Sequence, residues 1–185
     1  MRREVIKGAM LQASGELGYR HVTMQRLLDL YDGNRAQFYG QFPNLGACFL
    51  EAYETEASRL CAELLEAGAG APSWRAGLGA ALEALAGFVE ARPMQARALL
   101  IEVHSAGDAA LAKRKELLER LSDAVDSVRR ETWSRHSPPP LTALFIVSAI
   151  EAAVVAALTA GEPARFRAIV PELVEVASAA YFDDP

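Results

Sequence analysis

The fold is decided by residues 18–43, GYRHVTMQRLLDLYDGNRAQFYGQFP, where two short segments with helical spacing of apolar residues flank a tight turn. Thr23 is a favourable N-cap for a helix over residues 24–31, and Asn34 is one for a helix over residues 35–40. Two short helices joined by a glycine-containing turn have the dimensions of a helix-turn-helix unit. Such a unit presents the first turn of its second helix outward.

Outside this stretch, apolar residues recur three and four positions apart almost everywhere in the 185-residue chain, and no segment alternates as a half-buried strand does. Glycines, prolines and N-capping side chains divide this pattern into separate helices. The sequence therefore predicts an all-α protein of about nine helices, over residues 4–17, 24–31, 35–40, 45–67, 74–91, 93–105, 108–135, 141–160 and 163–182.

The net charge is −5, from 19 Lys+Arg against 24 Asp+Glu, which for the whole chain is unlike a nucleic-acid-binding protein. The charge is distributed unevenly, however. Residues 1–45 hold six basic and four acidic side chains, a net charge of +2, and the remaining residues carry −7. A mildly basic amino-terminal unit is compatible with contacts to phosphates.

The first turn of the second short helix carries Arg35, Ala36 and Gln37. Arginine can pair with two acceptors of guanine, glutamine can pair with adenine, and alanine permits close approach or contacts a thymine methyl group. Phosphate contacts are expected from polar groups nearby. The further residues of the predicted DNA-contacting set are Arg2, Arg3, Thr23, Asn34, Tyr39 and Gln41. The alternative, from spacing alone, is that Arg35 and Gln37 are ordinary solvated helix residues.

The motif resembles the amino-terminal domain of TetR-type (TetR/AcrR) transcriptional regulators. The matching positions follow the family pattern without a gap, and they are Gly18, Tyr19, Thr23, Leu27, Tyr39, Phe42 and Pro43. The resemblance covers about residues 1–50, and beyond them only the succession and lengths of the helices fit. It implies a cytoplasmic regulator, expected to be a repressor. Residues 1–45 are expected to form the helix-turn-helix DNA-binding domain, and residues 46–185 a helical effector-binding and dimerisation domain.

Three features depart from the family pattern. The usual Ala-Gly-Val-Ser turn reads Tyr31-Asp32-Gly33-Asn34, so the glycine stands one position later, although Asn34 keeps the N-capping chemistry of the serine. The family commonly has a lysine two residues after the proline, where this chain has Leu45. Asp32 also adds an acid beside the second helix. All three changes weaken the face expected to contact phosphates.

The last two predicted helices are rich in small and aliphatic residues, which allow close helix packing. One helix-turn-helix unit reads only a few base pairs, so such proteins usually dimerise over two half-sites. The resemblance implies a two-fold symmetric four-helix bundle between subunits. The expected interface residues are Leu144, Ala149, Ala152, Ala153, Ala156, Leu158, Ile169, Leu173, Val176, Ala177 and Ala180. The alternative is that these helices form the core of the monomer.

The resemblance also implies an effector pocket between the DNA-binding unit and the dimerisation helices. A small apolar ligand needs an apolar lining with few polar groups. The candidate lining residues are Phe88, Met94, Leu100, His104, Trp133 and Phe145, each of which is also compatible with an ordinary place in the core. The helix that begins near Asn44 is the expected route of coupling to the DNA-binding unit.

Other classes of function find little support. The three histidines, at positions 21, 104 and 136, stand in no metal-binding spacing, and no phosphate-binding glycine loop occurs, so we expect no enzyme, metal or cofactor. Residues 141–160 have the length of a membrane span but carry Glu151 mid-segment, so we expect no membrane partner. Cys48 and Cys61, far apart on one predicted helix, favour reduced thiols. The rival interpretation is a helical dimer that binds ligand or protein, with a degenerate helix-turn-helix unit and weak or no specific DNA binding.

Overall fold

A computed structural model describes residues 2–127 and 138–181, and the chain is all-α over these residues, as predicted. The nine α-helices within them are α1 Arg2–Leu17, α2 Met24–Leu30, α3 Arg35–Tyr39, α4 Leu45–Gly68, α5 Trp74–Ala91, α6 Pro93–Leu100, α7 Asp108–Asp126, α8 Thr142–Thr159 and α9 Ala164–Tyr181. Two short 3₁₀ turns, Tyr19–His21 and Glu102–Ser105, follow α1 and α6.

The main difference from the predicted helices lies after Pro93. The helix predicted over residues 93–105 is divided, because α6 ends at Leu100 and the chain continues through Ile101 into the second 3₁₀ turn. Proline stands at the start of α6, where its missing N–H costs nothing. The helix predicted over residues 108–135 is described as α7 only to Asp126, and residues 128–137 lie outside the described part of the chain.

Packing divides the chain into two compact units, one of residues 1–59 with 92–115 and one of residues 60–91 with 116–185. The first unit extends well beyond residue 45 because α6, although distant in sequence, packs against α1. The predicted division at residue 45 concerns which part contacts DNA, and it stays a prediction.

The first unit has a continuous apolar core. Its fully buried side chains come from α1, α2, α3, α4 and the 3₁₀ turn after α6, and they include Ile6, Met10, Leu27, Phe38, Phe42, Phe49, Tyr53 and Val103. Helices α1 and α6 approach closely at Gly15, where an added Cβ would lie only 2.0 Å from the carbonyl oxygen of Met94. At the end of α1, Gly18 adopts φ 85°, a conformation that glycine tolerates and that lets the chain turn into the helix-turn-helix segment.

The second unit is built on packing of α9 against α5 and α8. A buried cluster of Ile146, Ala177 and Tyr181 lies at its centre, and the Trp74 ring packs 5.2 Å from the Tyr181 ring between centroids. The indole N–H of Trp74 donates to the Val125 carbonyl at 3.2 Å, which attaches α5 to α7. The guanidinium of Arg167 on α9 binds carboxylates on α5.

Among the described helices, α8 alone is long and apolar enough to cross a membrane, with a mean hydropathy of 2.1 over 18 residues. A third of that window is buried inside the chain. The core helices of globular all-α proteins can have the same composition.

Candidate nucleic-acid interface

The two short helices, α2 and α3, begin at the N-caps predicted from the sequence. The Thr23 hydroxyl accepts a hydrogen bond from the backbone N–H of Arg26 at 3.2 Å. The Asn34 side chain accepts one from the backbone N–H of Gln37 at 3.0 Å, and the Gln37 side chain accepts one from the Asn34 N–H at 3.2 Å. This reciprocal pair is a capping box, which satisfies two backbone donors at the start of a five-residue helix.

The turn between the helices accommodates the displaced glycine by straining another residue. Asp32 adopts φ 51°, the left-handed conformation, at the position where the family pattern has glycine. Aspartate tolerates this conformation better than most residues because its short side chain can hydrogen-bond locally. Gly33 is needed for a different reason, since an added Cβ would lie 1.8 Å from Cε2 of the Tyr31 ring.

The first turn of α3 presents Arg35 and Ala36 to solvent, as the prediction requires. Gln37 is half-buried, and its side-chain oxygen is the acceptor in the capping box. Reading adenine with both groups of the amide requires that oxygen as well, so Gln37 would have to exchange its cap bond for a base contact. The Asn34…Gln37 spacing is itself the sequence pattern of a capping box and predicts this second role.

Side chains on the opposite face of α3 hold the helix against the first unit. Phe38 is fully buried, and its ring centroid lies 5.9 Å from that of the buried Phe42. Tyr39 is 53% exposed and packs edge-on to Phe38, with centroids 5.4 Å apart, which leaves its hydroxyl available at the surface. The exposed side of α3 is therefore the side predicted to contact DNA.

The structure gives Arg3 a different role from the predicted phosphate contact. Its Nε and one terminal nitrogen donate to the two oxygens of Glu51 at 2.7 and 2.5 Å, and the other terminal nitrogen donates to the Gln41 carbonyl at 2.5 Å. The guanidinium also lies 4.2 Å from the centroid of the Phe42 ring. Arg2, by contrast, is exposed, and Gln41 is half-buried. Sequence reasoning missed Glu51, which lies 48 residues from Arg3.

Electrostatics around this pair follow from the contacts. The hydrogen bonds from Arg3 hold the pKa of Glu51 below its ordinary value. Burial raises the pKa of the nearby Cys48 thiol to about 12, and the charge of Glu51 acts in the same direction. Cys48 is therefore a protonated core residue at neutral pH, and neither Cys48 nor Cys61 is in a disulfide.

The start of the helix-turn-helix segment is held by residues from the other end of the first unit. The Arg97 Nε donates to the Gly15 carbonyl at 3.2 Å, and the Tyr19 N–H donates to the Glu102 carboxylate at 2.8 Å. These residues border an open cleft of about 290 Å³, whose lining is largely charged. The lining residues are Glu16, Leu17, Gly18, Arg20, His21, Arg97, Glu102 and Ser105.

The predicted effector-lining residues are not brought together as one apolar set. Phe88 is buried in the second unit, and Met94 and Leu100 are half-buried in the first. His104 is exposed, and Phe145 is 73% exposed, so within the described chain these two side chains face solvent instead of a pocket. Trp133 lies outside the described residues.

The predicted dimer residues fall into two groups. Leu158 and Ala177 are buried inside the second unit, so they belong to its core and not to a surface, which corrects the prediction for these two positions. Ala153, Ile169 and Leu173 are half-buried. The exposed members are Leu144, Ala149, Ala152, Ala156, Val176 and Ala180. Val176 is 71% exposed, an unusual position for a large aliphatic side chain on a helix.

Within residues 2–127 and 138–181, no group of three or more His, Cys, Asp or Glu side chains is arranged to hold a metal ion.

Comparison with known proteins identifies the fold. No protein-family sequence profile and no curated protein sequence matches the chain. Among solved structures, the fatty acid degradation regulator FadR from Bacillus halodurans superposes with a TM-score of 0.84 at 13% identity, covering 95% of this chain and 94% of that one. FadR from Bacillus subtilis, solved in complex with stearoyl-CoA, gives 0.83 at 13% identity and covers 96% and 98%.

A TetR family transcription regulator from Marinobacter aquaeolei VT8 gives a TM-score of 0.76 at 16% identity, with 97% and 95% of the two chains covered. The resemblance inferred from the motif is thus confirmed at the level of the fold over nearly the whole chain. These similar proteins are transcriptional regulators and not enzymes, in agreement with the sequence-based expectation.

Proposed function

We propose that this chain, which has the fold of TetR-family transcriptional regulators, binds operator DNA as a homodimer and is released from it by a small apolar effector, acting as a cytoplasmic repressor. The observation that carries the proposal is the arrangement of α3. A buried Phe38 anchors a capped helix whose first turn exposes Arg35 and Ala36. Arginine on that turn is the side chain best suited to a guanine.

The homodimer is supported by the surface of α8 and α9. These helices expose small side chains together with Leu144 and Val176, a pattern that in a solvated monomer would leave apolar surface in water. Small residues let two helices approach closely, and an isologous contact would place the same surface of each copy against the other. We further propose that exposed Phe145, near the start of α8, lies at the edge of this surface.

The effector is proposed from the similar proteins, one of which was solved with stearoyl-CoA. An effector can release DNA only if it binds more tightly to the conformation in which the recognition helices do not fit two half-sites. Helix α4 is continuous from Leu45, immediately after the helix-turn-helix segment, to Gly68, and we propose it as one route of this coupling. The effector-binding and dimerising part is proposed to be residues 46–185.

A second candidate function is favoured by Asp32 and Leu45. An acid beside α3 and the absence of a lysine after Pro43 both reduce attraction to phosphates. The second candidate is therefore a helical dimer that binds ligand or protein and has weak or no sequence-specific affinity for DNA.

Selection from a random double-stranded DNA library separates the two candidates. The proposed function predicts enrichment of a two-fold symmetric sequence, with half-sites spaced by about one helical turn or a multiple of it. Light scattering after size exclusion should give twice the 20.0 kDa chain mass. Failure to enrich any sequence, with equal weak binding to all DNA, would support the second candidate. A 20.0 kDa species at micromolar concentration would contradict the homodimer.

A further inference from the structure

Helix α3 has few means of holding its own orientation. It contains five residues, and only Phe38 among them is buried. A helix this short is not stable by its own hydrogen bonds, so its position depends on how its two ends are attached. The capping box serves the first end. The second end passes through Gln41 and Phe42 into α4.

One guanidinium attaches this second end to the rest of the first unit. Arg3 on α1 binds both oxygens of Glu51 on α4 and also donates to the main-chain oxygen of Gln41 at 2.5 Å. It covers the Phe42 ring, 4.2 Å from the centroid. A single side chain therefore joins α1, the segment after α3 and α4.

The carboxylate of Glu51 is itself held in place. The ammonium of Lys7, on a side chain that is almost fully buried, lies 3.8 Å from Glu51 Oε1 and 2.6 Å from the Glu4 carboxylate. It also donates to the Thr55 hydroxyl at 3.0 Å. Two cations and two anions thus form a balanced cluster, and Glu51 is shared between its two cations.

We propose that Arg3 and Glu51 are positioning residues for the recognition helix: their two-pronged pair sets the angle at which α3 leaves the first unit, and Arg3 does not contact phosphate. The inference rests on the proposed function and assigns Arg3 a role different from the one predicted from sequence. Lysine cannot replace Arg3, because one ammonium cannot form the planar pair with Glu51, reach the Gln41 carbonyl and stack on the ring together.

The test compares affinities for the selected operator across a salt series for Arg3→Lys, Arg3→Gln, Glu51→Gln and the Arg3→Gln/Glu51→Gln double variant. We expect each single variant to weaken operator binding about tenfold, and the double variant to bind no more weakly than either single one. The slope of log affinity against log salt should stay at the wild-type value, since no phosphate contact is lost.

Two arginine variants calibrate this measurement. Arg2→Gln removes the same charge from the neighbouring exposed position, and a phosphate contact there would lower the salt slope by about one. Arg120→Gln removes it from the exposed surface of α7 and should leave operator binding unchanged. The proposal is overturned if Arg3→Lys binds as the wild type does, if Glu51→Gln binds more tightly, or if Arg3→Gln reduces the salt slope as a lost phosphate contact would.

A second readout does not depend on DNA. Hydrogen exchange in the intact protein should become faster over residues 35–43 in Arg3→Lys and Glu51→Gln, while α2 keeps its protection. Unchanged exchange over these residues would overturn the positioning role. If the wild type selects no operator, the proposed function fails, but this measurement still decides whether Arg3 and Glu51 hold α3.

Discussion

The backbone N–H of Tyr19 donates a 2.8 Å hydrogen bond to the Glu102 carboxylate, 83 residues away in the sequence. The bond ties the turn after α6 to the residue that leads from α1 into the helix-turn-helix segment. Together with the bond from Arg97 to the Gly15 carbonyl, it gives α6 a direct hold on the base of the DNA-binding unit, in addition to the continuous path through α4.

Glu102→Ala should destabilise the first unit more than Glu102→Gln. The alanine leaves the Tyr19 N–H without its charged acceptor, and hydrogen bonds to charged groups contribute about 1.5–3 kcal/mol. Glutamine keeps a neutral oxygen in the same place and should recover part of the loss. Denaturant unfolding of both variants measures the difference, and equal stability of the two would show that the bond contributes nothing to the unit.

Gly15→Ala should be strongly destabilising, because the added Cβ would stand 2.0 Å from the Met94 carbonyl oxygen and the backbones of α1 and α6 would have to separate. Overpacking of this kind costs about 1–3 kcal/mol or more. The matched control is Gly8→Ala on the same helix, where nothing lies within 4 Å of the added methyl group. That control should gain up to about 1 kcal/mol of helix propensity. Similar unfolding free energies for the two variants would rule out the close approach.

Asp32 is expected to limit DNA affinity through its charge. Asparagine at this position would keep the left-handed preference of the turn and remove the charge, so Asp32→Asn should bind operator more tightly with little change in stability. Asp32→Gly removes the charge and the strain of φ 51° together, so it should also raise the unfolding free energy by up to about 1 kcal/mol. Anisotropy titrations and chemical denaturation test both. Weaker DNA binding by Asp32→Asn would mean that the carboxylate makes a favourable contact.

Glu51 should make stability depend on acid pH. Its pKa in the folded protein lies below the ordinary value of 4.5, chiefly because of the hydrogen bonds from Arg3. Its stabilisation is therefore fully present above pH 4.5 and is lost as the pH falls through the lower, folded pKa. Thermal unfolding of the wild type and Glu51→Gln should differ most near neutral pH and converge in acid. A constant difference across the acid range would exclude this linkage.

Local chemistry makes part of the fold predictable. The N-caps Thr23 and Asn34 and the ends of α1 and α3 depend on side chains a few residues away, so single-sequence reasoning locates them. The contacts of Arg3 with Glu51 and of Tyr19 with Glu102 join residues 48 and 83 positions apart, and no local pattern encodes such pairs. The burial of Leu158 and Ala177 is missed because a helix of small residues has a similar composition on its core and surface faces.

The glycines show the same limit. In the sequence, Gly15 reads as a weak point in α1, whereas the structure uses it for contact with α6. The shifted glycine of the turn is recognisable from sequence as a departure from the family pattern. That Asp32 itself takes the left-handed conformation can be seen only once the backbone is known.

The central claim is that the first turn of α3 reads operator DNA, and its most direct test is the affinity of Arg35→Ala for the selected operator at fixed salt. Loss of a two-pronged arginine–guanine contact costs about 1–3 kcal/mol, so we predict binding about 5- to 150-fold weaker and relaxed preference at one base pair of each half-site. Arg120→Ala, which removes the same charge far along the chain, should bind as the wild type does. If Arg35→Ala keeps both the affinity and the base preference of the wild type, α3 is not the recognition helix.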